Sequence, residues 1–144
     1  MVYTIISETL TLSLLGVAAF WDKRTFSIPV LLPAVVFCAG FTVNIISGES
    51  KWWQLLLGCI PGIILLVISL LSSGSMGLGD GLVLTAAGPC LGLVNGLFLL
   101  TISLIFASAV GFILIALHQI KIKDRIPFIP FVLGGYIILL LIST

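Results

Sequence analysis

Long apolar runs fill most of the chain, and short clusters of charge, glycine or proline separate them. Polar residues do not alternate with apolar ones, as they would along the strands of a membrane barrel. A helix needs roughly 20 residues to cross the hydrocarbon core, and most of the runs approach that length. The pattern therefore predicts six transmembrane helices, at about residues 2–20, 28–46, 53–72, 77–92, 94–117 and 126–142.

The boundary between the fourth and fifth spans is the weakest part of this pattern. The fourth run is short, and Gly88-Pro89, Gly92 and Asn95-Gly96 all offer turn positions. If the two runs formed one helix, the chain would have five spans. The distribution of basic residues distinguishes the two counts.

Composition supports a lipid environment, because 60% of the 144 residues are hydrophobic and only 8% are charged. We expect one membrane-embedded domain over residues 1–144, in an all-α fold. The net charge of +1, without a basic stripe, gives no indication of a nucleic-acid partner. The three cysteines lie in apolar runs without a CxxC pair, and we interpret them as reduced packing residues. The first run lacks a basic start, so we expect a retained helix.

Basic residues predict how the six spans are oriented. With six spans, five of the six lysines and arginines lie on one side, in the loops that contain Lys23-Arg24 and residues 121–125. Only Lys51 lies on the other side. Because basic loops stay in the cytoplasm, both termini are expected outside the cell membrane. Five spans would move residues 121–125 outside, which the charge rule opposes.

Two aspartates lie at the borders of apolar runs on the predicted cytoplasmic side. Asp22 ends the first run, and Asp80 closes the sequence Gly77-Leu78-Gly79-Asp80. A carboxylate at the membrane border is costly unless it is used or satisfied. A structural interpretation is available for each: Asp80 could cap a helix, and Asp22 could belong to a charge cluster that fixes topology. As a pair, they could share a proton and activate water against a peptide bond.

Other hydrolytic chemistries lack the residues they need. The one histidine, His118, has no carboxylate cluster around it, so no zinc site is expected. Neither HExxH nor GxSxG occurs, and no base is placed to activate a serine or cysteine nucleophile. Glu8 lies about 21 Å from Asp22 along a helix and cannot join the pair. We expect no metal and no cofactor.

The ordered motifs resemble the type IV prepilin peptidase and preflagellin peptidase family of membrane aspartyl proteases. They are Asp22 ahead of Ser27-Ile28-Pro29, then Gly77-Leu78-Gly79-Asp80 with Gly88 and Leu91-Gly92 downstream, then Ile126-Pro127-Phe128-Ile129-Pro130-Phe131. Two positions depart from the pattern of many members: Leu82 stands where a lysine is common, and Val30 where an asparagine is common. These departures bear on substrate selection rather than on the aspartate pair.

The resemblance implies an endopeptidase that cuts the short basic leader of a prepilin or pseudopilin at the cytoplasmic membrane border. Asp22 and Asp80 would be catalytic, and the substrate would bind along Gly77, Gly79, Pro127 and Pro130. The added N-terminal region of the methylating members has no counterpart here, so we expect cleavage without methylation. The sequence indicates neither the particular pilin nor the oligomeric state.

Two other functions remain open from the sequence. The first is a non-enzymatic membrane protein: a transporter, a scaffold or an assembly subunit of a pilus or secretion system. Few polar residues lie inside the spans, which disfavours a transport path. The second is a protease that cuts other helices in mid-bilayer. That function would place both aspartates deeper than the position of Asp22 beside Lys23-Arg24 suggests.

Overall fold

The computed structural model describes residues 2–25, 30–48, 51–71, 77–118 and 127–143. The described residues are almost all helical, with no strand among them. The helices are α1 (Val2–Thr25), α2 (Leu31–Ser47), α3 (Trp52–Gly58), α4 (Ile60–Leu71), α5 (Leu78–Ala116) and α6 (Ile129–Ser143). The all-helical fold predicted from the apolar runs is therefore confirmed.

Two of the helix boundaries differ from the predicted spans. The predicted third span is divided at Cys59 into α3 and α4, which follow each other directly. The predicted fourth and fifth spans form the continuous element α5, but Gly92 inside it has φ 72° and ψ 175°. This left-handed conformation suits glycine and divides α5 into two helices at the predicted boundary.

Several helices are long and apolar enough to cross a membrane. The stretches Ile5–Asp22, Trp52–Leu71 and Leu78–Ala116 meet this condition, and the last contains the break at Gly92. Two further apolar helices, over residues 31–47 and 129–142, are shorter. These helices indicate a multi-pass membrane protein. The count of six spans and the orientation of the termini stay predictions.

Helix α5 lies at the centre of the bundle and packs against each of the other five helices. Its closest neighbour is α4, where glycines allow the two backbones to approach. A methyl group on Gly62 of α4 would meet the backbone of Thr85, and one on Gly58, the last residue of α3, would meet the Gly88 carbonyl. Glycines of α3 and α4 therefore allow their backbones to pack closely against α5.

Hydrogen bonds join α2 and α6 to the N-terminal half of α1. The Asn44 amide of α2 donates to the Ser7 hydroxyl at 3.2 Å. The Tyr136 hydroxyl of α6 donates to the Glu8 carbonyl at 3.3 Å. These contacts lie about 22 Å along α1 from Asp22. They fix the positions of α2 and α6 relative to α1.

Candidate active site

Asp22 lies near the C-terminal end of α1 and is buried, with 6% of its surface exposed. Its carboxylate accepts hydrogen bonds from the backbone N–H groups of Ile129 and Phe128, at the start of α6. Its Oδ2 atom is also buried but has no hydrogen-bond partner among the described residues. One side of this carboxylate is therefore satisfied, and the other is not.

The start of α6 compensates an otherwise unfavourable position for a carboxylate. Asp22 is close to the C-terminus of α1, where the helix dipole disfavours negative charge. The first N–H groups of a helix have no partner within it, and they favour an anion. Ile129 is the first residue of α6, and its N–H points to Asp22. Two helix ends of opposite polarity thus meet at this side chain.

Asp80 is the third residue of α5 and is almost as buried, with 8% of its surface exposed. Gly77 is the N-cap, which corrects the interpretation of Asp80 as the cap residue. The Asp80 carboxylate instead reaches back and accepts a hydrogen bond from the backbone N–H of Gly77. A methyl group on Gly77 would lie 3.1 Å from Asp80 Oδ2. Glycine therefore leaves room directly beside this carboxylate.

The fold brings the two aspartates together, although they come from different helices and are far apart in sequence. The carboxylates of Asp22 and Asp80 lie within electrostatic range of each other. Each is stabilised by the N-terminus of a helix, α6 for Asp22 and α5 for Asp80. Two carboxylates that face one reacting group can act on it as base and acid.

The other predicted site residues are close in sequence to the groups that contact the aspartates. Gly79 and Pro130 are half-buried, as is Pro127, which precedes α6. Their predicted role in substrate binding stays a prediction. Ser27-Ile28-Pro29 and the basic residues 121–125 lie outside the described residues.

Sequence reasoning missed the residues that hold Asp22. The sequence predicts that Pro127 and Pro130 contact the substrate, whereas Phe128 and Ile129 between them contact the carboxylate through their backbone. A signal was present, because proline marks the first turn of a helix, where N–H groups are free. The sequence could not say which side chain those groups would meet.

Two of the cavities are lined by residues other than the aspartates. A small apolar cavity of about 130 Å³ contains both departures from the family pattern, Val30 and Leu82, between α2 and α5. A larger cavity of about 500 Å³ surrounds the break at Gly92, with Asn44 and Gln54 in its wall. Gly92 lies about 18 Å along α5 from Asp80, so this cavity belongs to the opposite end of the bundle.

The described residues contain no group of three side chains that could hold a metal ion. Comparison with known proteins adds one match: a family model for the type IV leader peptidase family covers residues 9–116. That range includes Asp22 and Asp80 and ends where α5 ends. No curated protein and no solved structure matches the chain.

Proposed function

The chain belongs to the type IV leader peptidase family, and from this premise we propose that it is a membrane aspartyl endopeptidase with Asp22 and Asp80 as its catalytic pair. Its substrate is a prepilin or pseudopilin precursor, from which it removes the short basic leader. It acts as a peptidase without methyltransferase activity. The observation that carries the proposal is the electrostatic interaction between two buried carboxylates, one from α1 and one from α5.

The pair can hydrolyse a peptide bond without a metal or a cofactor. With one proton shared, the ionised carboxylate takes a proton from water while the water oxygen attacks the scissile carbonyl carbon. The protonated carboxyl donates to the carbonyl oxygen and stabilises the negative charge that develops there. The tetrahedral intermediate then collapses, the C–N bond breaks, and the leaving nitrogen takes a proton from the pair. The products are a new carboxylate and a new amine.

The surroundings of Asp80 favour an extended peptide as the substrate. Gly77 is extended, with φ −71° and ψ 126°, and it precedes α5 without a side chain. Gly79 leaves a second position without a side chain one residue before the carboxylate. A substrate backbone can therefore approach this segment closely. Pro127 and Pro130 stiffen the chain on the other side of the pair and complete the binding surface.

The predicted topology places the pair at the cytoplasmic face of the cell membrane. A prepilin carries its basic leader on that side and its apolar segment in the bilayer. Asp22 ends one apolar stretch, and Asp80 lies three residues into another, so both are near a membrane border. The expected cut therefore lies between the leader and the apolar segment.

The test is cleavage of a prepilin that is co-expressed in membranes with the enzyme. Asp22→Asn and Asp80→Asn should each lower cleavage by roughly 10²–10⁴-fold, because each removes one half of the acid–base pair. Both variants should still insert, as membrane fractionation would show. Glu8→Gln is the matched control, since it neutralises another acidic residue of α1 and should cleave normally. Cleavage at the wild-type rate by either aspartate variant would refute the pair.

The position of the cut distinguishes the proposal from its rivals. Mass spectrometry of the mature pilin should locate the cut at the border of its apolar segment. A cut inside that segment would indicate a mid-bilayer protease. Pilus assembly that persists when both aspartates are replaced would indicate a scaffold instead.

A further inference from the structure

The cavity of about 500 Å³ around the break at Gly92 has a wall that the proposed peptidase chemistry does not use. Its lining residues come from α2, α3 and α5, and they include three amide side chains, those of Asn44, Gln54 and Asn95. A space of this volume is in the size range of sites for small molecules and is much larger than one water molecule. A few polar groups in a mostly apolar wall are the usual composition of such a site.

Two of the amides are oriented by hydrogen bonds within the protein, and these bonds determine which atom each amide can offer to a ligand. The Asn44 nitrogen donates to the Gly40 carbonyl at 2.8 Å and to the Ser7 hydroxyl at 3.2 Å. The Gln54 oxygen accepts from the backbone N–H of Lys51 at 2.9 Å. Asn44 therefore offers its oxygen, which is an acceptor, and Gln54 offers its NH₂ group, which is a donor.

This combination fits a neutral, hydroxylated group. A hydroxyl both donates and accepts, so a group with several hydroxyls, such as a sugar, can pair with both amides. An ionised phosphate only accepts and an ammonium group only donates, so each would leave one amide without a partner. Among its described residues the wall has no charged side chain that would compensate either ion. Trp53 adds an aromatic surface to the same wall.

A second cavity, which is apolar, adjoins the first and indicates that the ligand is a lipid. It has a volume of about 320 Å³ and is lined by Phe98 in the second half of α5 and by Leu139 and Ile142 near the end of α6. Val94 and Asn95 belong to the walls of both cavities. An amphiphile can therefore place its headgroup among the amides and an acyl chain between α5 and α6.

Both cavities lie at a border of the membrane, where a lipid headgroup is expected. Trp53 follows Lys51-Trp52, and such a combination of aromatic and basic residues is typical of the interface. Gly92 lies about 18 Å along α5 from Asp80, so this border is the one remote from the aspartates, on the predicted outer side.

From these observations we propose that the two cavities form one binding site for a membrane lipid with a neutral, hydroxylated headgroup, of the glycolipid class. Asn44 accepts from a headgroup hydroxyl, Gln54 donates to one, and the acyl chain lies against Phe98 and α6. The inference goes beyond the proposed function and does not rest on it, because binding can be measured without any cleavage.

Native mass spectrometry of the whole chain, in a detergent without a sugar headgroup, tests the site. The probes are glucosyl diacylglycerol, phosphatidylglycerol and phosphatidylethanolamine with identical acyl chains. We expect one glucosyl diacylglycerol per chain, with a Kd about tenfold lower than that of either phospholipid, the size expected when one amide loses its hydrogen bond. Equal affinity for the three lipids, or a preference for a phospholipid, would overturn the proposal.

Gln54→Glu tests the donor most directly. The carboxylate can still accept from the Lys51 N–H, but the NH₂ group is gone. The Kd for glucosyl diacylglycerol should rise about five- to tenfold. Asn95→Leu, which replaces the amide in the shared wall, should change the Kd in the same direction. Thr101→Leu is the matched control, since it replaces another exposed polar residue of α5 that lines neither cavity, and it should bind as the wild type does.

Helical circular dichroism shows whether each variant keeps its fold. If Gln54→Glu loses helicity, the comparison of Asn95→Leu with Thr101→Leu decides. A wild-type Kd in folded Gln54→Glu, or equal Kd values for Asn95→Leu and Thr101→Leu, would overturn the site. Failure of the proposed function would be a different result, in which the variants of Asp22 or Asp80 cleave normally.

Discussion

The two ends of the bundle both bury polar side chains, but they treat them differently. At the end near Gly92, uncharged groups pair with one another: Asn44 donates to Ser7, and Thr11 donates to the Ser7 carbonyl at 2.8 Å. At the other end, two carboxylates are buried, and Asp22 Oδ2 lacks a partner among the described residues. The first arrangement joins helices. The second leaves a carboxylate oxygen that can still bind a proton or a hydrogen-bond donor.

This difference shows how buried polarity separates structural from functional positions in a membrane protein. A satisfied neutral hydrogen bond between helices contributes modestly to stability, and nothing more needs to be explained. An incompletely satisfied carboxylate is expensive to bury, so its presence requires another reason. The same criterion distinguishes Glu8, which is only half-buried on α1, from Asp22 on the same helix.

The glycines at the two ends differ in a parallel way. Near the break, a methyl group on Gly88 would lie 2.6 Å from the Gly58 carbonyl oxygen and 2.8 Å from the Cys59 backbone. Near the aspartates, a methyl group on Gly77 would meet the Asp80 side chain. The first glycine makes room for a helix, and the second makes room for a carboxylate. Substitutions at these positions should therefore affect different properties.

The largest effect is expected for Gly88→Ala. Because its closest neighbours are backbone atoms of Gly58 and Cys59, α5 must move away from the junction of α3 and α4, and overpacking of this kind costs about 1–3 kcal/mol. Unfolding in mixed micelles, followed by loss of helical circular dichroism, would measure the change. Gly16→Ala is the control, since a methyl group there meets nothing within 4 Å. Equal stability of the two variants would show that the backbones do not approach as closely as described.

The helices could be predicted from sequence because lipid imposes a simple requirement on apolar runs. Every backbone group must be satisfied within the segment, so a long apolar run becomes a helix. The break at Gly92 was also predictable, since the sequence offers glycine where a turn is needed. The division at Cys59 was not predicted, although Gly58 and Pro61 lie on either side of it, because the helix resumes immediately at Ile60 and the apolar run is not interrupted.

The site was predictable in its residues but not in its contacts. Asp22 and Asp80 stand out because acidic residues are rare in this chain and these two lie at the borders of apolar runs. The hydrogen bonds from Phe128 and Ile129 depend on how α6 packs against α1, a long-range contact that no local pattern encodes. Almost every residue also has a backbone N–H group, so residue type does not indicate which of these groups will contact Asp22.

An intermediate effect is expected for Gly77→Ala. Alanine can adopt the backbone angles of Gly77, so the free energy of unfolding should fall by only a few tenths of a kcal/mol at this N-cap. The added methyl group would displace the Asp80 carboxylate, and a small displacement of a catalytic group lowers the rate. We expect cleavage to fall about tenfold, measured with purified enzyme and a prepilin peptide. Gly134→Ala, with open space around it, should cleave normally.

The smallest effect is expected for Tyr136→Phe, at the end remote from the aspartates. The variant loses the hydrogen bond from the Tyr136 hydroxyl to the Glu8 carbonyl and keeps the buried ring. Hydrogen bonds between membrane helices contribute about 0.6 kcal/mol on average, so the same micelle unfolding should show a loss of that order. Tyr3→Phe, at an exposed position, is the control. Cleavage should stay at the wild-type rate, because the Tyr136 hydroxyl at this end only joins helices. A severalfold loss of kcat in Tyr136→Phe would mean that the two ends are coupled through α6.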